Sequence, residues 1–252
     1  MVIRRKSKNK AVKAMKLYSK VKSKQDNTKT VPNQRRYILN KNSGFYMKEA
    51  YKTLRTNIRF FLHGNNCKKI CITSSTMGEG KSITMLNLAI SFAEDGKKVL
   101  LIDADMRRPA LARLLMEKAA PGLSNVLAGL ADVDVAIREN IYPNLDVLFS
   151  GDIPPNPSEL LGSFEMKKML DTLSGRYDYI LVDTPPVNMV ADTCVVADML
   201  DGVLYLVRQG RTEKDCVRRG VSQLQLTGAK VLGFVMNGID PKANKRYYAE
   251  YK

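Results

Sequence analysis

The sequence predicts a doubly wound α/β fold with a mostly parallel sheet. Strands that are apolar on both faces and alternate with helix-length segments indicate a parallel sheet that is covered on both sides. Two of the intervening segments, 82–95 and 213–226, have the length and composition of helices. Six short runs have this nearly continuous apolar character: KKICITSS, KKVLLIDAD, NLDVLFS, YDYILVDTPP, DGVLYLVRQ and AKVLGFVMNG.

One more helix is predicted ahead of the first strand. Within residues 44–61, apolar side chains recur at three- and four-residue spacing and so lie along one helix face. They are Tyr51, Leu54, Ile58 and Phe61. A chain of 252 residues is within the range that one α/β domain commonly fills. We therefore expect a single catalytic domain over residues 37–240.

Positive charge is concentrated in an N-terminal arm, residues 1–36. The chain has 41 basic and 25 acidic residues, but 13 of the basic ones and a single acidic one, Asp26, lie in this arm. Few apolar side chains accompany them, so we expect the arm to be flexible. Its charge predicts attraction to an anionic membrane surface, at about 1 kcal/mol per basic residue, with a solubility tail or nucleic-acid contact as alternatives. The remaining chain is nearly neutral, and no specific nucleic acid is expected.

Cysteine spacing, hydropathy and the single histidine argue against several classes of protein. Four cysteines without C-x-x-C spacing are expected to be reduced thiols: Cys67, Cys71, Cys194 and Cys216. No apolar run approaches about 18 residues and the N-terminus lacks the apolar stretch of a signal peptide, so we expect a cytoplasmic protein. The only histidine, His63, precedes the sheet and gives no support to histidine-based catalysis. Hydride transfer has no support either, because no G-x-G-x-x-G follows a strand.

A phosphate-binding loop is predicted where the first strand leads into a helix. Gly78 and Gly80 would let backbone N–H groups turn inward around phosphates. Lys81 would reach the β and γ oxygens, and Ser82 would ligate magnesium. Ser75 stands where the full Walker A pattern has glycine, and a glycine-containing turn without a ligand is the alternative. The residues expected to bind the nucleotide here are Thr76, Met77, Gly78, Glu79, Gly80, Lys81, Ser82 and Ile83.

Carboxylates are predicted at the carboxyl ends of two strands, where ligands bind in this architecture. The run VLLID ends in Asp103, with Asp105 two residues later, and the run YILV leads into Asp183 in a Walker B arrangement. Magnesium prefers oxygen ligands and keeps several waters, so Asp103 and Asp183 are predicted to hold it with Ser82, directly or through water. Asp105 could instead accept a proton from a substrate hydroxyl, and the sequence does not separate the two roles. Helix N-capping is the alternative for each carboxylate.

The chain resembles the bacterial tyrosine kinases associated with capsule and exopolysaccharide export. The resemblance covers about residues 44–252 and is carried by EAYKTLRTNI, TSSTMGEGKS, VLLIDADMRRP, GDIPPNPSELL, YILVDTPP, LVRQGRT, LGFVMNG and RYYAEYK. It implies a deviant Walker A loop centred on Lys81, a Walker A′ motif centred on Asp103 with Asp105, and a Walker B motif centred on Asp183. It also implies the cofactors ATP and Mg²⁺ and a nucleotide contact at Asn237. The catalytic residues would be Lys81, Asp103, Asp105 and Asp183.

The resemblance also implies a substrate and an assembly. The substrate would be the C-terminal tyrosines Tyr247, Tyr248 and Tyr251, phosphorylated between neighbouring subunits of a ring. They lie in residues 241–252, which we expect to be a flexible tail that can reach another subunit. Packing of these tyrosines onto the domain is the alternative.

An oligomerisation helix is implied at residues 44–62. Members of the family join their subunits through an E-x-x-R-x-x-R pattern, whose places are held here by Glu49, Lys52 and Arg55. Lys52 departs from the pattern, because a compact ammonium replaces a bidentate guanidinium. A solvated charged helix face is the alternative.

The resemblance extends to partners and location. A membrane adaptor that regulates polysaccharide chain length would supply an activating cytoplasmic tail, a cognate tyrosine phosphatase would reverse the reaction, and the chain would sit peripherally at the inner face of the cell membrane. Two rival functions stay open. One is a partition or septum-site ATPase, although that group carries lysine at the position of Thr76. The other is a nucleotide-gated scaffold without kinase activity.

Overall fold

The computed structural model describes residues 34–64 and 66–239. Most of the expected arm and the whole of the expected tail therefore lie outside the described residues. No helix in the described part is long and apolar enough to cross a membrane. In chain order the elements are α1 (Phe45–Phe61), β1 (Lys68–Ser74), α2 (Lys81–Glu94), β2 (Val99–Asp103), α3 (Leu111–Leu115), α4 (Leu123–Leu127), α5 (Val133–Ala136), β3 (Ile137–Tyr142), β4 (Leu145–Leu148), α6 (Pro157–Leu161), α7 (Phe164–Leu173), β5 (Tyr179–Asp183), α8 (Asp192–Ala197), β6 (Gly202–Arg208), α9 (Lys214–Leu226) and β7 (Val231–Asn237).

The strands form one sheet in the order β3-β4-β2-β5-β1-β6-β7. All neighbouring pairs are parallel except β3 with β4. The predicted doubly wound, mostly parallel sheet is confirmed, and each of the six apolar runs contains a strand. Strand β3 was not predicted, because Arg138, Glu139 and Asn140 interrupt its apolar character. This strand lies at the sheet edge, where one side has no neighbour to demand an apolar sequence.

Alternate residues of the central strands enter two separate cores. Ile70 and Ile72 of β1 pack on the side of the sheet that carries α1 and α2, whereas Cys71 packs on the side that carries α7, α8 and α9. In β2, Leu101 and Leu100 divide in the same way. Successive side chains of a strand point to opposite faces, so burial on both faces accounts for the continuous apolar runs.

Helix α1 packs on α2 through part of its predicted apolar face. Ile58 is buried, and Tyr51 and Leu54 pack against the same core. Phe61 ends the helix as the spacing predicts, but its side chain is 58% exposed. Helix α2 ends opposite the last turns of α1, where Asp95 meets Arg59. Nothing in the described part of the chain covers Phe61 beyond that point.

A segment before α1 also docks on α2. Asn87 of α2 is fully buried, and its Oδ1 accepts from the Leu39 amide at 2.7 Å. Its Nδ2 donates to the Tyr37 carbonyl at 2.8 Å and to the Tyr51 hydroxyl at 3.1 Å. A buried side-chain amide needs such partners. The contacts tie the residues that precede α1 to the helix that follows the phosphate-binding loop.

Candidate active site

The predicted site residues meet at the carboxyl edge of the sheet. Strands β2 and β5 are neighbours, and their register places Asp103 directly opposite Asp183. Strand β1 lies on the other side of β5, and the chain continues from its end through the phosphate-binding loop into α2. Parallel strands end at the same edge of a sheet, so three separate motifs converge there.

The loop has the backbone conformation that its glycines allow. Gly78 and Gly80 have φ angles of +75° and +105°, which are unfavourable for residues with a Cβ. A Cβ at Gly80 would also lie 2.3 Å from Nδ2 of Asn237. Helix α2 begins at Lys81, so its N-terminus, with its unpaired amides and partial positive charge, faces the space in front of the loop.

Lys81 and Asp183 share the centre of the site. Asp183 is fully buried, and neither of its carboxylate oxygens has a hydrogen-bond partner among the described residues. Burial raises the pKa of Asp183 to about 7, although the positive charge of Lys81 and the nearby Ser82 hydroxyl oppose the shift. Lys81 is itself only 8% exposed.

Asp103 is the second buried carboxyl group. Its Oδ2 accepts from the Leu111 amide of α3 at 3.1 Å, but its Oδ1 has no hydrogen-bond partner in the described part. Burial raises its pKa well above the ordinary value, and the neighbouring Asp183 raises it further. Two adjacent buried carboxyls cannot both ionise easily unless a positive charge joins them.

Asp105 is more accessible than this pair. It is partly exposed, and its Oδ1 accepts from the Arg108 amide at 2.9 Å, which holds the carboxylate in place. Burial raises its pKa, while that amide and the Lys81 charge lower it. Asp105 thus lies at the rim of the site, where a group arriving from solvent can reach it.

The residues fit a magnesium nucleotide. Three buried carboxylate oxygens without partners, both of Asp183 and one of Asp103, lie together at the end of the sheet. A hydrated Mg²⁺ satisfies such oxygens and supplies the missing positive charge. No group of three or more His, Cys, Asp or Glu side chains that could hold a metal occurs in the part of the chain that the structure describes. Phosphate oxygens, waters and the Ser82 hydroxyl would complete the coordination.

An ion pair next to the site was not predicted. Arg107 donates to both carboxylate oxygens of Asp192, from Nε at 2.8 Å and from Nη2 at 2.9 Å. Asp192 is fully buried, and it also accepts from the Ser158 hydroxyl. The cluster ties the Walker A′ segment to α6 and α8. Arg107 and Ser158 belong to motifs noted in the sequence, but nothing local indicates that they share a partner.

The comparisons with known proteins identify the family. Residues 67–209 match the model of an AAA domain. Over 190 aligned residues the chain is 42% identical to the tyrosine-protein kinase YwqD of Bacillus subtilis (strain 168). The aligned region covers 75% of this chain and 80% of that protein. The chain belongs to the bacterial tyrosine kinase family.

Solved structures agree with this family. The kinase domain of the Escherichia coli tyrosine kinase ETK superposes with a TM-score of 0.74 at 33% identity, covering 77% of this chain and 76% of that one. The chimerical protein CapA2B2 gives a TM-score of 0.74 at 36% identity, covering 78% and 86%. With the AAA match, these structures confirm the expected P-loop NTPase fold for this member of the family.

The predicted subunit-contact residues differ in their surroundings. Glu49 and Lys52 pair with each other at 2.7 Å on the exposed surface of α1. Arg55 instead turns inward: its side chain is 14% exposed, it pairs with Asp95 at 3.1 Å, and it donates to the Ser91 carbonyl. Within the chain, Arg55 therefore fastens α1 to the end of α2. The subunit contact stays a prediction.

The tyrosines of the predicted substrate, Tyr247, Tyr248 and Tyr251, lie outside the described residues. The last described residue, Ile239, follows β7 by two positions. Asn237, the last residue of β7, touches the phosphate-binding loop, so the described part of the chain ends near the site. The other predicted nucleotide contacts, from Thr76 to Ile83, form the loop and the first turn of α2.

Proposed function

We propose that the chain is an ATP-dependent protein-tyrosine kinase that phosphorylates its own C-terminal tyrosines between subunits. The observation that carries the proposal is that Oδ1 of Asp103 and both carboxylate oxygens of Asp183 have no hydrogen-bond partner among the described residues, beside Lys81 at the end of a phosphate-binding loop. It occurs in a chain that belongs to a tyrosine kinase family. The cofactors would be ATP and Mg²⁺.

Each site residue has a distinct task in phosphoryl transfer. The loop amides and Lys81 would hold the nucleotide phosphates and balance the charge that spreads over the transferring group. Asp183, Asp103 and Ser82 would hold the metal, which supplies further positive charge when bound. Catalysis of this kind depends mostly on positioning and electrostatic stabilisation.

Asp105 is the best candidate to orient the tyrosine and accept its proton. Unlike the buried pair, it lies at the rim, and its backbone hydrogen bond from Arg108 leaves Oδ2 available. Its raised pKa makes it a stronger base than an exposed aspartate. A phenol has a pKa near 10, so a positioned carboxylate would assist the reaction by accepting the proton. The bond from the tyrosine oxygen to the γ-phosphorus would form as the bond from that phosphorus to the β,γ-bridging oxygen breaks, and ADP would leave.

The biological setting follows from the family resemblance. Subunits would assemble into a ring through α1, whose Glu49 and Lys52 lie on the surface. Each phosphate would add about −1.5 to −2 charges to a tail, so phosphorylated tails would repel or detach. A membrane adaptor would recruit the kinase to the inner face of the membrane, a phosphatase would reset it, and the cycle would regulate capsular or exopolysaccharide production.

Mass-spectrometric mapping of phosphate tests the reaction. The full chain is incubated with Mg-ATP at high protein concentration, beside Lys81→Met and the control Lys98→Met, which removes a lysine at the opposite edge of the sheet. Phosphate on Tyr247, Tyr248 or Tyr251 is expected in the wild type and in Lys98→Met, and not in Lys81→Met. Consumption of ATP without any phosphotyrosine would contradict the proposal and favour a partition-type ATPase.

A mixing experiment tests transfer between subunits. A donor chain with all three tail tyrosines replaced by phenylalanine is mixed with the Lys81→Met chain, which retains its tyrosines but lacks the catalytic lysine. Phosphate should appear on the Lys81→Met chain, since the donor has the site and the acceptor has the tail. Phosphate that forms in the wild type alone but never in the mixture would show that transfer occurs within one chain.

A further inference from the structure

Two arginines lie against the outer side of the phosphate-binding loop. Arg208 donates from Nη1 to the Gly78 carbonyl at 2.9 Å. Arg211 donates from Nη1 to the same carbonyl at 3.3 Å and from Nη2 to the Met77 carbonyl at 3.3 Å. Both belong to the segment LVRQGRT, which spans the end of β6 and the turn after it and has no role in the reaction described above. Two guanidiniums thus hold two consecutive loop carbonyls.

Asn237 continues this row of contacts from the end of β7. Its Nδ2 donates to the Glu79 carbonyl at 2.8 Å. The same nitrogen would lie 2.3 Å from a Cβ at Gly80, so the amide packs directly against the loop. The side-chain oxygen of Asn237, Oδ1, accepts from the Gly238 amide at 2.8 Å, and this bond fixes the orientation of the Asn237 side chain. The third consecutive loop carbonyl therefore also has a side-chain donor from outside the loop.

The Glu79 side chain fastens the arginine segment to the loop. It is fully buried, and its Oε1 accepts from the hydroxyls of Thr76 and Thr212, each at 2.8 Å. The Thr212 hydroxyl oxygen in turn accepts from the Arg208 amide at 2.8 Å. The turn over residues 208–212, which carries both arginines, is thereby held in one place relative to the loop.

From these contacts we infer that Arg208, Arg211 and Asn237 are positioning residues for phosphate binding. In a trans peptide the carbonyl of one residue and the N–H of the next point in opposite directions. Three donors that hold the carbonyls of residues 77–79 outward therefore aim the amides of residues 78–80 inward. Such a row of inward amides is an anion-binding nest, and it is formed here before the nucleotide arrives.

Arginine suits this role better than lysine. The two terminal nitrogens of Arg211 reach two different carbonyls at once, whereas an ammonium carries its three N–H donors on a single nitrogen and lacks the planar fork. Charge alone would act differently, since any nearby cation attracts phosphate and salt weakens that attraction. The inference rests on the proposed binding of ATP, and it assigns these residues to the loop and not to the phosphates.

Nucleotide binding by full-length variants tests the inference. Dissociation constants for MgADP and for adenosine are measured calorimetrically with Arg211→Met, Arg211→Lys and the control Arg219→Met, which removes an exposed arginine of α9. Arg211→Met should bind MgADP roughly tenfold more weakly, as expected for loss of a charge-assisted contact, with adenosine binding unchanged. Arg211→Lys should recover little, and Arg219→Met should match the wild type. The ATP KM should rise more than kcat falls.

Several results would overturn the inference. Arg211→Met that binds MgADP as tightly as Arg219→Met would show that the contact does not shape the loop. Full recovery by Arg211→Lys would show that charge suffices. Equal losses of affinity for adenosine and MgADP, at an unchanged melting temperature, would show that Arg211 does not act through the binding of phosphate.

The same data separate this inference from the proposed function. If the wild type forms phosphotyrosine but the arginine variant binds MgADP normally, only the positioning role fails. If binding depends on Arg211 but no phosphotyrosine forms, only the kinase function fails. A wild-type chain that does not bind MgADP would overturn both.

Discussion

Replacement of Asp183 by asparagine should stabilise the nucleotide-free protein as pH rises, although it removes a predicted metal ligand. Asp183 is buried without a hydrogen-bond partner in the described part, so its ionised form is unfavourable in the folded state. Burial raises its pKa from 3.8 to about 7. Between these values the folded protein keeps a proton that the unfolded chain has released.

The sign and size of the effect follow from this difference. Because Asp183 binds more protons in the folded state than in the unfolded state in this window, its contribution to the free energy of unfolding of the wild type falls as pH rises from about 4 to 7. Each pKa unit corresponds to about 1.4 kcal/mol, so the fall is about 4 kcal/mol. Asparagine at position 183 does not titrate, so the stability of Asp183→Asn relative to the wild type should rise across this window, less whatever Asp103 gains or loses when its charged neighbour is removed. The buried amide adds a constant offset of about 1–3 kcal/mol against the variant, which leaves the slope unchanged.

Urea unfolding in the presence of EDTA, from pH 4 to pH 8, measures this difference. Asp215→Asn is the matched control, because Asp215 is 83% exposed and its charge is solvated in both states. In a parallel series with excess MgADP and no EDTA, the wild type should gain about 2.7 kcal/mol at a hundred times the dissociation constant while Asp183→Asn gains little, so the advantage of the variant should shrink or vanish. A difference between variant and wild type that stays constant with pH would refute the reasoning, since it would mean that Asp183 is already ionised and stabilised in the folded protein.

Three further predictions follow from the geometry. Gly80→Ala should abolish the thermal stabilisation by MgADP, because an alanine there would combine a φ of +105° with a close contact to Asn237. Gly96→Ala is the control: Gly96 has a φ of +76° but open space around it, so this variant should lose only about 1 kcal/mol of unfolding free energy and still bind MgADP. Arg55→Met should lower the urea unfolding free energy by about 1–3 kcal/mol, because it removes the half-buried pair with Asp95, whereas Lys52→Met removes a surface pair and should cost less than about 0.5 kcal/mol. Equal values for the two variants would contradict a role for Arg55 in fastening α1 to α2. Asp192→Asn should lower the urea unfolding free energy by about 2–3 kcal/mol, because it breaks the ion pair with Arg107, and it should reduce kcat by loosening the Walker A′ segment. An unfolding free energy equal to that of the wild type would contradict a stabilising role for the ion pair.

Much of the site was predictable because its chemistry is local in sequence. Gly78, Gly80 and Lys81 lie within one short stretch between an apolar run and a helix pattern, and the structure has the loop there. Asp103 and Asp183 are distant in sequence, but each follows an apolar run. Because parallel strands end at one edge, the pattern alone indicates that the two carboxylates meet.

Other features could not be predicted because they depend on where elements end and pack. Phe61 fits the apolar periodicity of α1, yet it is exposed because α2 ends before it. Strand β3 was missed because an edge position tolerates its polar residues. Arg55 fits a subunit-contact pattern, but the described structure shows it fastened to Asp95 of its own chain.

Local patterns of the sequence by themselves determined the fold class, the place of the phosphate-binding loop and the carboxylates at the end of the sheet. The periodicity of apolar residues and the spacing of glycines are properties of a few neighbouring residues, so the sequence alone reveals them. Tertiary structure alone decided which groups are buried without partners and which remote side chains hold the loop. The strand order brings Arg211 and Asn237 from the ends of β6 and β7 to the carbonyls of residues 77–79. It also brings Asp103 beside Asp183 in the buried interior. Burial, and for Asp103 also the charge of Asp183, raises their pKa values, and no local sequence pattern encodes either effect.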